Sequence, residues 1–339
     1  MKIKITIFLL IATPIFLLAQ SKEELKQKYK NSDLQDEIQK LKTETTYPDS
    51  IILPPLHFTN TYYSLKNDIE DFNSISIDIE ICNKIPQNYS FYISPFNLRF
   101  NNIPMYCGIQ SKGGGISSKT GKNEEISFNG IFSRWYERDK NALKTDGYFA
   151  SAAGEGDFIS VREAIGWKKG KYRITLKKDG IIPGNPLPKN INEKDTYFTW
   201  GEYEHTWITM TVEDLKSHKT SVIGSLAFPG KNIVLGKKIV SFLEQYNYII
   251  DFAAKPRFAN SKNHIYYTDI PYIKVIQKNI RINGKPAAIE NVKTLHNNTH
   301  NPNQSSINGK MPVLSTDSLD VKKNSVILET GIFNNHKKS

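Results

Sequence analysis

The stretch "SISIDIEI" at residues 74–81 alternates apolar and polar side chains without interruption. Isoleucine fills positions 75, 77, 79 and 81, and serine or an acidic residue fills each position between them. Successive side chains of a β-strand point to opposite faces, so the pattern predicts a strand with one buried and one solvated face.

Comparable β-rich runs follow along the chain and are separated by clusters of Gly, Pro, Asn and Asp. In order they read "YSFYISPF", "MYCGIQ", "EISFNGIFSRWY", "YRITLKKD", "YFTWGEYEHTWITMTV", "SVIGSLAF" and "YIKVIQKNIRI". Strands without regular intervening helices are typical of an antiparallel sandwich and argue against a doubly wound sheet. The sequence therefore predicts an all-β domain, an antiparallel β-sandwich or jelly roll, over residues 48–282.

Two segments predict helices instead. Apolar residues recur every three to five positions within residues 20–47, and Ser21 opens a capping pattern, so we expect an amphipathic helical lead. In "LGKKIVSFLEQY" at residues 235–246, the apolar side chains from Ile239 to Tyr246 form a stripe that predicts one helix inserted among the strands.

The first residues have the order of a secretory signal peptide. Lys2 and Lys4 precede an apolar run that ends at Leu18, and Ala19 marks the expected cleavage site. The run is too short for a membrane helix and is broken by Pro14. We therefore expect residues 1–19 to be removed, and the mature chain to be secreted or periplasmic without a transmembrane segment.

The formal net charge of +11 invites a nucleic-acid interpretation. In the body of the chain, however, lysines alternate with acidic residues, and no nucleic-acid recognition motif is present. We expect no nucleic-acid partner. Residues 283–339 are rich in Asn and Lys and are predicted to be mostly extended and loosely ordered, with the strand "SVILETGIF" pairing back on the body.

The glycines of "AAGEGDF" at residues 152–158 resemble a phosphate-binding loop at first sight. A phosphate loop needs a helix directly after the glycines, but "DFISV" is extended, and Glu155 would repel an anion. The motif therefore predicts a turn between strands. No zinc or calcium spacing is present either, so we expect no metal and no cofactor.

Cys82 and Cys107 are the only cysteines. An oxidising compartment would allow one disulfide between them, but the sequence leaves open whether they pair.

Paired carboxylates are the strongest catalytic signal. If "YFTWGEYEHTWITM" is one strand, Glu202 and Glu204 lie on the same face about 6.6 to 7 Å apart, a separation that an acid and a base or nucleophile can use. Glu155 is a weaker third candidate. A solvent-facing Glu-x-Glu is the simpler explanation, because the motif is only two residues long.

Aromatic residues of the β-rich middle are candidates for ligand binding. An exposed indole offers a flat stacking surface to sugars, whereas a buried one only packs in the core. Trp135, Tyr136, Trp200 and Glu202 are the residues that we select as a ligand-binding set.

The succession of motifs over residues 73–276 resembles a known family, domain of unknown function three-four-seven-two, found in secreted proteins. The motifs, in order, are "MYCGIQSKGGG", "GIFSRWYE", "GEGDF", "WKKGKYRITL", "HTWITMTVED", "AFPGK" and "SFLEQYN". The resemblance implies a β-rich, lectin-like sandwich and carries no established activity. The chain departs from the family pattern at Cys107, where glycine is usual, and in the insertion at residues 179–195, which could form a lid or an edge flap.

Secretion, the strand pattern and the clustered aromatics together favour a non-catalytic protein that binds glycan or another cell-envelope ligand. The alternative is a secreted carbohydrate-active hydrolase or lyase that uses paired carboxylates. A third hypothesis is a structural envelope protein that assembles through its N-terminal helix.

Overall fold

The structure is a computed structural model, and it describes residues 50–52, 56–87, 89–153, 156–188, 197–245, 264–266, 271–296, 315–320 and 325–331. The predicted signal peptide at residues 1–19 and the predicted helical lead at residues 20–47 lie outside the described residues. Within the described residues the chain is almost entirely β, with a single turn of 3₁₀-helix at Lys140–Ala142.

The first of two large antiparallel sheets has nine strands. Its members are β3 (Ser74–Ile81), β7 (Leu143–Lys144), β10 (Gly170–Ile182), β11 (His205–Asp214), β12 (Thr220–Pro229), β15 (Ile273–Ile282), β16 (Lys285–Pro286), β18 (Ser315–Asp320) and β19 (Ser325–Thr330). Their order across the sheet is β18-β19-β15-β3-β10-β11-β12-β7, and β16 forms a hairpin with β15.

The second large sheet has eight strands. Its members are β2 (Leu56–Leu65), β4 (Phe91–Phe100), β5 (Ile103–Ser117), β6 (Asn123–Trp135), β8 (Tyr148–Ala153), β9 (Gly156–Ala164), β13 (Lys238–Gln245) and β17 (Ile289–His296). Their order is β17-β2-β13-β4-β5-β6-β9-β8. A separate two-stranded pair joins β1 (Ser50–Ile52) to β14 (His264–Tyr266).

One hydrophobic core draws side chains from both large sheets, as a β-sandwich requires. The four isoleucines of β3 are each at most 1% exposed, which confirms the face predicted from their alternation. The sheets approach closely at Gly130 of β6, where a Cβ atom would lie 2.4 Å from Cδ1 of Ile223 in β12. The all-β sandwich with antiparallel sheets is therefore confirmed.

The predicted helix at residues 235–246 is wrong. Residues 238–245 form β13, which is paired on one side with β2 and on the other with β4. Ile239 and Leu243 face the main core, while Phe242 belongs to a second buried cluster on the outer face of the sheet. A strand buried on both faces loses its apolar–polar alternation, and its pattern can then resemble a helical stripe.

The described part of the C-terminal segment contributes four strands, β16 to β19, to the two large sheets. β17 extends the eight-stranded sheet beside β2, and β19 pairs with β15 in the nine-stranded sheet. The strand predicted in "SVILETGIF" is thus present. Asn283 and Gly284 both have positive φ, 51° and 78°, as the two-residue turn between β15 and β16 requires.

The two cysteines are not bridged in the structure. Cys82 follows β3 in one sheet and Cys107 lies in β5 of the other, and both are free. Burial raises the pKa of each thiol, most strongly for Cys107, so both favour the neutral form.

Candidate functional site

Loops at one end of the sandwich build the candidate site. The hairpin between β4 and β5 turns at Asn101 and Asn102, whose φ angles of 48° and 65° are those that asparagine tolerates best among residues with a side chain. The Asn101 side chain donates to the carbonyls of Pro229 and Asn232 at 2.7 and 2.9 Å, and its oxygen accepts from the Val234 amide at 2.8 Å. This side chain therefore holds the β12–β13 loop against the hairpin.

Backbone hydrogen bonds fix a third loop in the same place. Ile69 and Leu235 exchange two bonds of 2.9 Å, and the Leu65 amide donates to the Lys237 carbonyl at 2.9 Å. The loop after β2 is thus tied to the β12–β13 loop. Side chains carried by these loops have a fixed backbone beneath them.

Between these loops lies a cleft of about 740 Å³. That volume is in the range of small-molecule binding sites. The cleft is lined by Asp68, Glu70, Arg99, Asn101, Asn102, Leu187, Pro188, Glu204, Gly230, Lys231, Asn232, Val234, Gly236, Lys237 and Lys238. Leu187 and Pro188 belong to the insertion predicted as a lid or flap, so part of that insertion does form a wall of the cleft.

Three carboxylates line the cleft. Glu204 comes from the segment before β11, and Asp68 and Glu70 come from the loop after β2. Glu204 accepts a hydrogen bond from the Lys231 amide at 3.2 Å through Oε1, and Asp68 accepts one from the Lys237 amide at 2.7 Å through Oδ1. Glu70 follows Asp68 on the same loop. These bonds fix Glu204 and Asp68 on backbone amides of one loop, which keeps both acids in the cleft.

Four cationic side chains share the cleft with these acids: Arg99, Lys231, Lys237 and Lys238. Arg99 donates through Nη1 to the Asn102 carbonyl at 2.8 Å, which steadies its guanidinium above the hairpin. The lining of the cleft therefore includes both carboxylates, which can accept a proton, and positive charges, the two kinds of group that polar bond cleavage needs.

The structure separates Glu202 from Glu204. Both residues precede β11, which begins only at His205, and Gly201 before them has a φ of 77° that no strand adopts. Glu202 is exposed, its amide donates to the Thr199 carbonyl at 3.1 Å, and it does not line the cleft. The strand predicted through residues 197–212 is therefore too long by eight residues at its start, and the predicted acid pair is not on one strand face.

A buried ionic network, which the sequence analysis missed, anchors the segment just before Glu204. Glu137, only 2% exposed, accepts hydrogen bonds from the amides of Trp200, Arg138 and Asp139 at 3.0 to 3.2 Å. Arg134 Nη2 lies 3.7 Å from the Glu137 carboxylate. Charged residues inside "FSRWYER" were the available signal, because a strand that ends in the core can bury them only in pairs.

His205 completes this network. Its Nδ1 lies 2.8 Å from the Tyr203 carbonyl and its Nε2 lies 3.2 Å from the Thr199 hydroxyl, so Nδ1 donates and Nε2 accepts when the ring is neutral. Burial, assisted by the positive charge of Arg134, lowers the pKa of His205 to about 4. His205 is thus neutral at physiological pH and is committed to holding the turn that presents Glu204.

The predicted ligand-binding aromatics pack against other rings. Trp135 contacts Tyr106 and Phe158 with centroid separations of 6.1 and 5.8 Å, and Tyr136 stacks on Tyr197 at 3.8 Å. Trp200 lies 5.2 Å from the ring of His205 and 5.8 Å from that of Trp207. Part of each ring stays exposed, and a ligand-binding role of Trp135, Tyr136, Trp200 and Glu202 stays a prediction.

Glu155, the remaining candidate, lies outside the described residues. The strands on either side of it, β8 and β9, pair as an antiparallel hairpin with Ala153 opposite Gly156. "DFISV" is therefore extended, as predicted. Within the described part of the chain, no group of three or more His, Cys, Asp or Glu side chains could hold a metal, and no helix is long and apolar enough to cross a membrane.

No family model and no curated protein matches the chain, so the resemblance to domain of unknown function three-four-seven-two stays a prediction. Twelve chains of solved structures match it. One is a scytalido-glutamic peptidase with a peptide-based transition-state analogue, at 8% identity and a TM-score of 0.36, covering 82% of this chain and 100% of that one. Another is SCP-B, a member of the eqolisin family of peptidases, with the tripeptide Ala-Ile-His, at 11% identity and a TM-score of 0.31, covering 82% and 100%.

The prediction of glycan binding is contradicted by these matches, because the reported structures are peptidases. Trp135, Tyr136 and Trp200 are half-buried and pack against neighbouring rings, but only Tyr136 is covered face to face, by Tyr197. TM-scores of 0.31 to 0.36 are too low to transfer residues or an activity to this chain.

Proposed function

We propose that the chain is a hydrolase whose acid–base pair comes from the cleft at the loop end of the sandwich. The observation that carries the proposal is that Glu204 shares one cleft with Asp68 and Glu70, and that Arg99 and three lysines line the same cleft. Paired carboxylates were the basis of the hydrolase alternative in the sequence. The structure supports that chemistry with a different partner for Glu204.

In this proposal one carboxylate takes a proton from the attacking water, and a second acid gives a proton to the leaving group. Glu204 is the residue that we place in this pair, with Asp68 or Glu70 as its partner. The cationic side chains stabilise negative charge that develops on the substrate oxygen in the transition state. Leu187 and Pro188 supply the apolar part of the wall against which a substrate packs.

Substitution of Glu204 by Gln tests the proposal. The E204Q variant keeps the size of the side chain and removes its basicity, so hydrolysis should fall by about 100-fold or more. The measurement follows new amino termini released from an unfolded protein substrate and, separately, reducing ends released from a panel of polysaccharides.

Glu202 provides the matched control, because it lies two residues away, is exposed and does not line the cleft. The E202Q variant should retain the activity of the unaltered chain. If neither substrate class is cleaved, or if E204Q and E202Q behave alike, the hydrolase proposal is wrong.

A further inference from the structure

The insertion at residues 179–195 contacts the segment that carries Glu204. Asn185 of the insertion and Tyr203 form an isolated parallel β-bridge. The Glu204 amide donates to the Asn185 carbonyl at 2.7 Å, and the Asn185 side chain donates from Nδ2 to the Glu202 carbonyl at 3.0 Å. One residue of the insertion therefore holds the backbone on both sides of Tyr203.

Gly184 brings the insertion into close contact with the same backbone. A Cβ atom on Gly184 would lie 2.4 Å from the Glu204 amide nitrogen and 2.4 Å from the Tyr203 carbonyl carbon. The φ angle of Gly184 is not in the left-handed region, so this overlap, and not the backbone conformation, is what excludes a side chain there. Any larger residue at this position must displace the peptide bond between Tyr203 and Glu204.

The β12–β13 loop supplies the other hydrogen bonds to Glu204. The Gly230 amide donates to the Glu204 carbonyl at 2.7 Å, and the Lys231 amide donates to its carboxylate at 3.2 Å. The insertion and this loop also approach each other, because a Cβ atom on Gly230 would lie 3.1 Å from Leu187 Cδ2. The insertion thus bonds the amide of Glu204, and the loop bonds its carbonyl and its carboxylate.

The position of the Glu204 carboxylate depends on these backbone contacts. Glu204 lies one residue before β11, which begins at His205, so its backbone is held by Asn185 and Gly230 and not by the ladder of that strand. The bond of 3.2 Å from the Lys231 amide is at the upper end of ordinary N–H···O distances, so a small shift of Glu204 would break it. The contacts of the insertion therefore determine whether the carboxylate reaches the Lys231 amide.

We propose that Gly184 and Asn185 are positioning residues that hold the Glu204 carboxylate in the cleft. The insertion thereby supports the proposed acid–base residue, and through Leu187 and Pro188 it also supplies part of the cleft wall. This proposal rests on the role that we propose for Glu204, whereas its spectroscopic test needs no activity.

The spectroscopic test follows backbone amide signals by NMR through the range in which carboxyl groups ionise, about pH 3 to 6. An amide that donates to a carboxylate changes its chemical shift when that carboxylate takes up a proton. In the unaltered chain the Lys231 amide should follow Glu204, and the Lys237 amide should follow Asp68, to which it donates at 2.7 Å. In G184A, as in E204Q, the Lys231 signal should lose this pH dependence while the Lys237 signal keeps it.

Kinetics supply the second test, with whichever of the protein or polysaccharide substrates the unaltered chain cleaves. G184A should lower kcat by about tenfold or more and leave KM nearly unchanged, because a displaced acid slows bond cleavage without removing contacts that bind the substrate. If the unaltered chain cleaves neither substrate class, the hydrolase proposal fails, and the Lys231 signal still decides whether the insertion positions Glu204.

Gly147 provides the matched control, because it is a comparably crowded glycine that does not line the cleft. A Cβ atom on Gly147 would lie 2.4 Å from the Arg162 carbonyl oxygen in the eight-stranded sheet. G147A should therefore lose stability as G184A does, but should keep the pH dependence of the Lys231 signal and the kcat of the unaltered chain.

A milder variant decides the question if G184A does not fold. N185A keeps the carbonyl that accepts from Glu204 and loses only the bond from Nδ2 to Glu202, so it should show the same two changes to a smaller degree. A folded G184A whose Lys231 signal follows pH as in the unaltered chain, equal losses of kcat in G184A and G147A, or an N185A variant that matches the unaltered chain would each overturn the proposal.

Discussion

His205 illustrates how burial sets the protonation state and the role of a single residue in this protein. In the sequence it lies between two glutamates and a tryptophan, but its ring is 1% exposed and both ring nitrogens are engaged. The side chain cannot reach a substrate. Its contribution is to hold residues 199–205 in the turn from which Glu204 enters the cleft.

Because folding lowers the pKa of His205 from 6.5 to about 4, this residue makes stability depend on pH. Between those two values the unfolded chain binds a proton that the folded chain does not, so stability should fall as the pH falls from about 6.5 to about 4. The shift corresponds to a loss of about 3 kcal/mol in the free energy of unfolding.

Urea unfolding at pH 7 and at pH 4.5 measures this loss. The H205Q variant should be less stable at pH 7 but should lose less stability on acidification. H218Q serves as the control, because His218 is 78% exposed and should leave the pH dependence unaltered. Equal pH dependence in H205Q and the unaltered chain would contradict this prediction.

Among the elements, the pair of β4 and β5 shows how a β-bulge restricts the residue types that two paired strands can carry. The register between them shifts between Ile93 and Phe96, so β4 carries an extra residue there, and Pro95 lies in the bulge, where it need not donate to the ladder. Gly108 of β5 lies opposite. A Cβ atom on Gly108 would be 2.0 Å from the Ile93 carbonyl oxygen, so only glycine allows the strands to come this close.

Replacement of Gly108 by alanine should therefore lower the free energy of unfolding by about 2 kcal/mol or more, because a backbone must move to relieve the overlap. Gly236 is the matched control: a Cβ atom there would have no neighbour closer than 3.7 Å, so G236A should change stability little. Chemical denaturation of both variants measures the difference, and similar stabilities would show that β4 shifts at little cost.

For the whole molecule, the C-terminal strands cover edges of both sheets. β17 lies beside β2, and β19 covers β15 with Val326 and Leu328 in the main core. Exposed edge strands pair readily with other chains. Residues 283–339, whose composition predicts loose order, therefore supply strands that pair with β2 and β15.

Ending the chain after Ala288 should remove β17, β18 and β19 and uncover β2 and β15. We expect a lower melting temperature and association into larger species, measured by calorimetry and by size exclusion with light scattering. A chain that ends after Gly331 keeps all three strands and should match the full chain. A monomeric, equally stable product of the first truncation would show that these strands contribute little.

The sequence by itself determined the strands with one wet face and the all-β class, because alternation is a local consequence of strand geometry. The tertiary structure decided what depends on distant partners. Neighbours on both sides made residues 238–245 a strand, burial neutralised His205, and loops far apart in the chain placed Glu204 with Asp68 and separated it from Glu202. Side-chain convergence depends on how the two sheets pack and on where their loops meet, which no local pattern records.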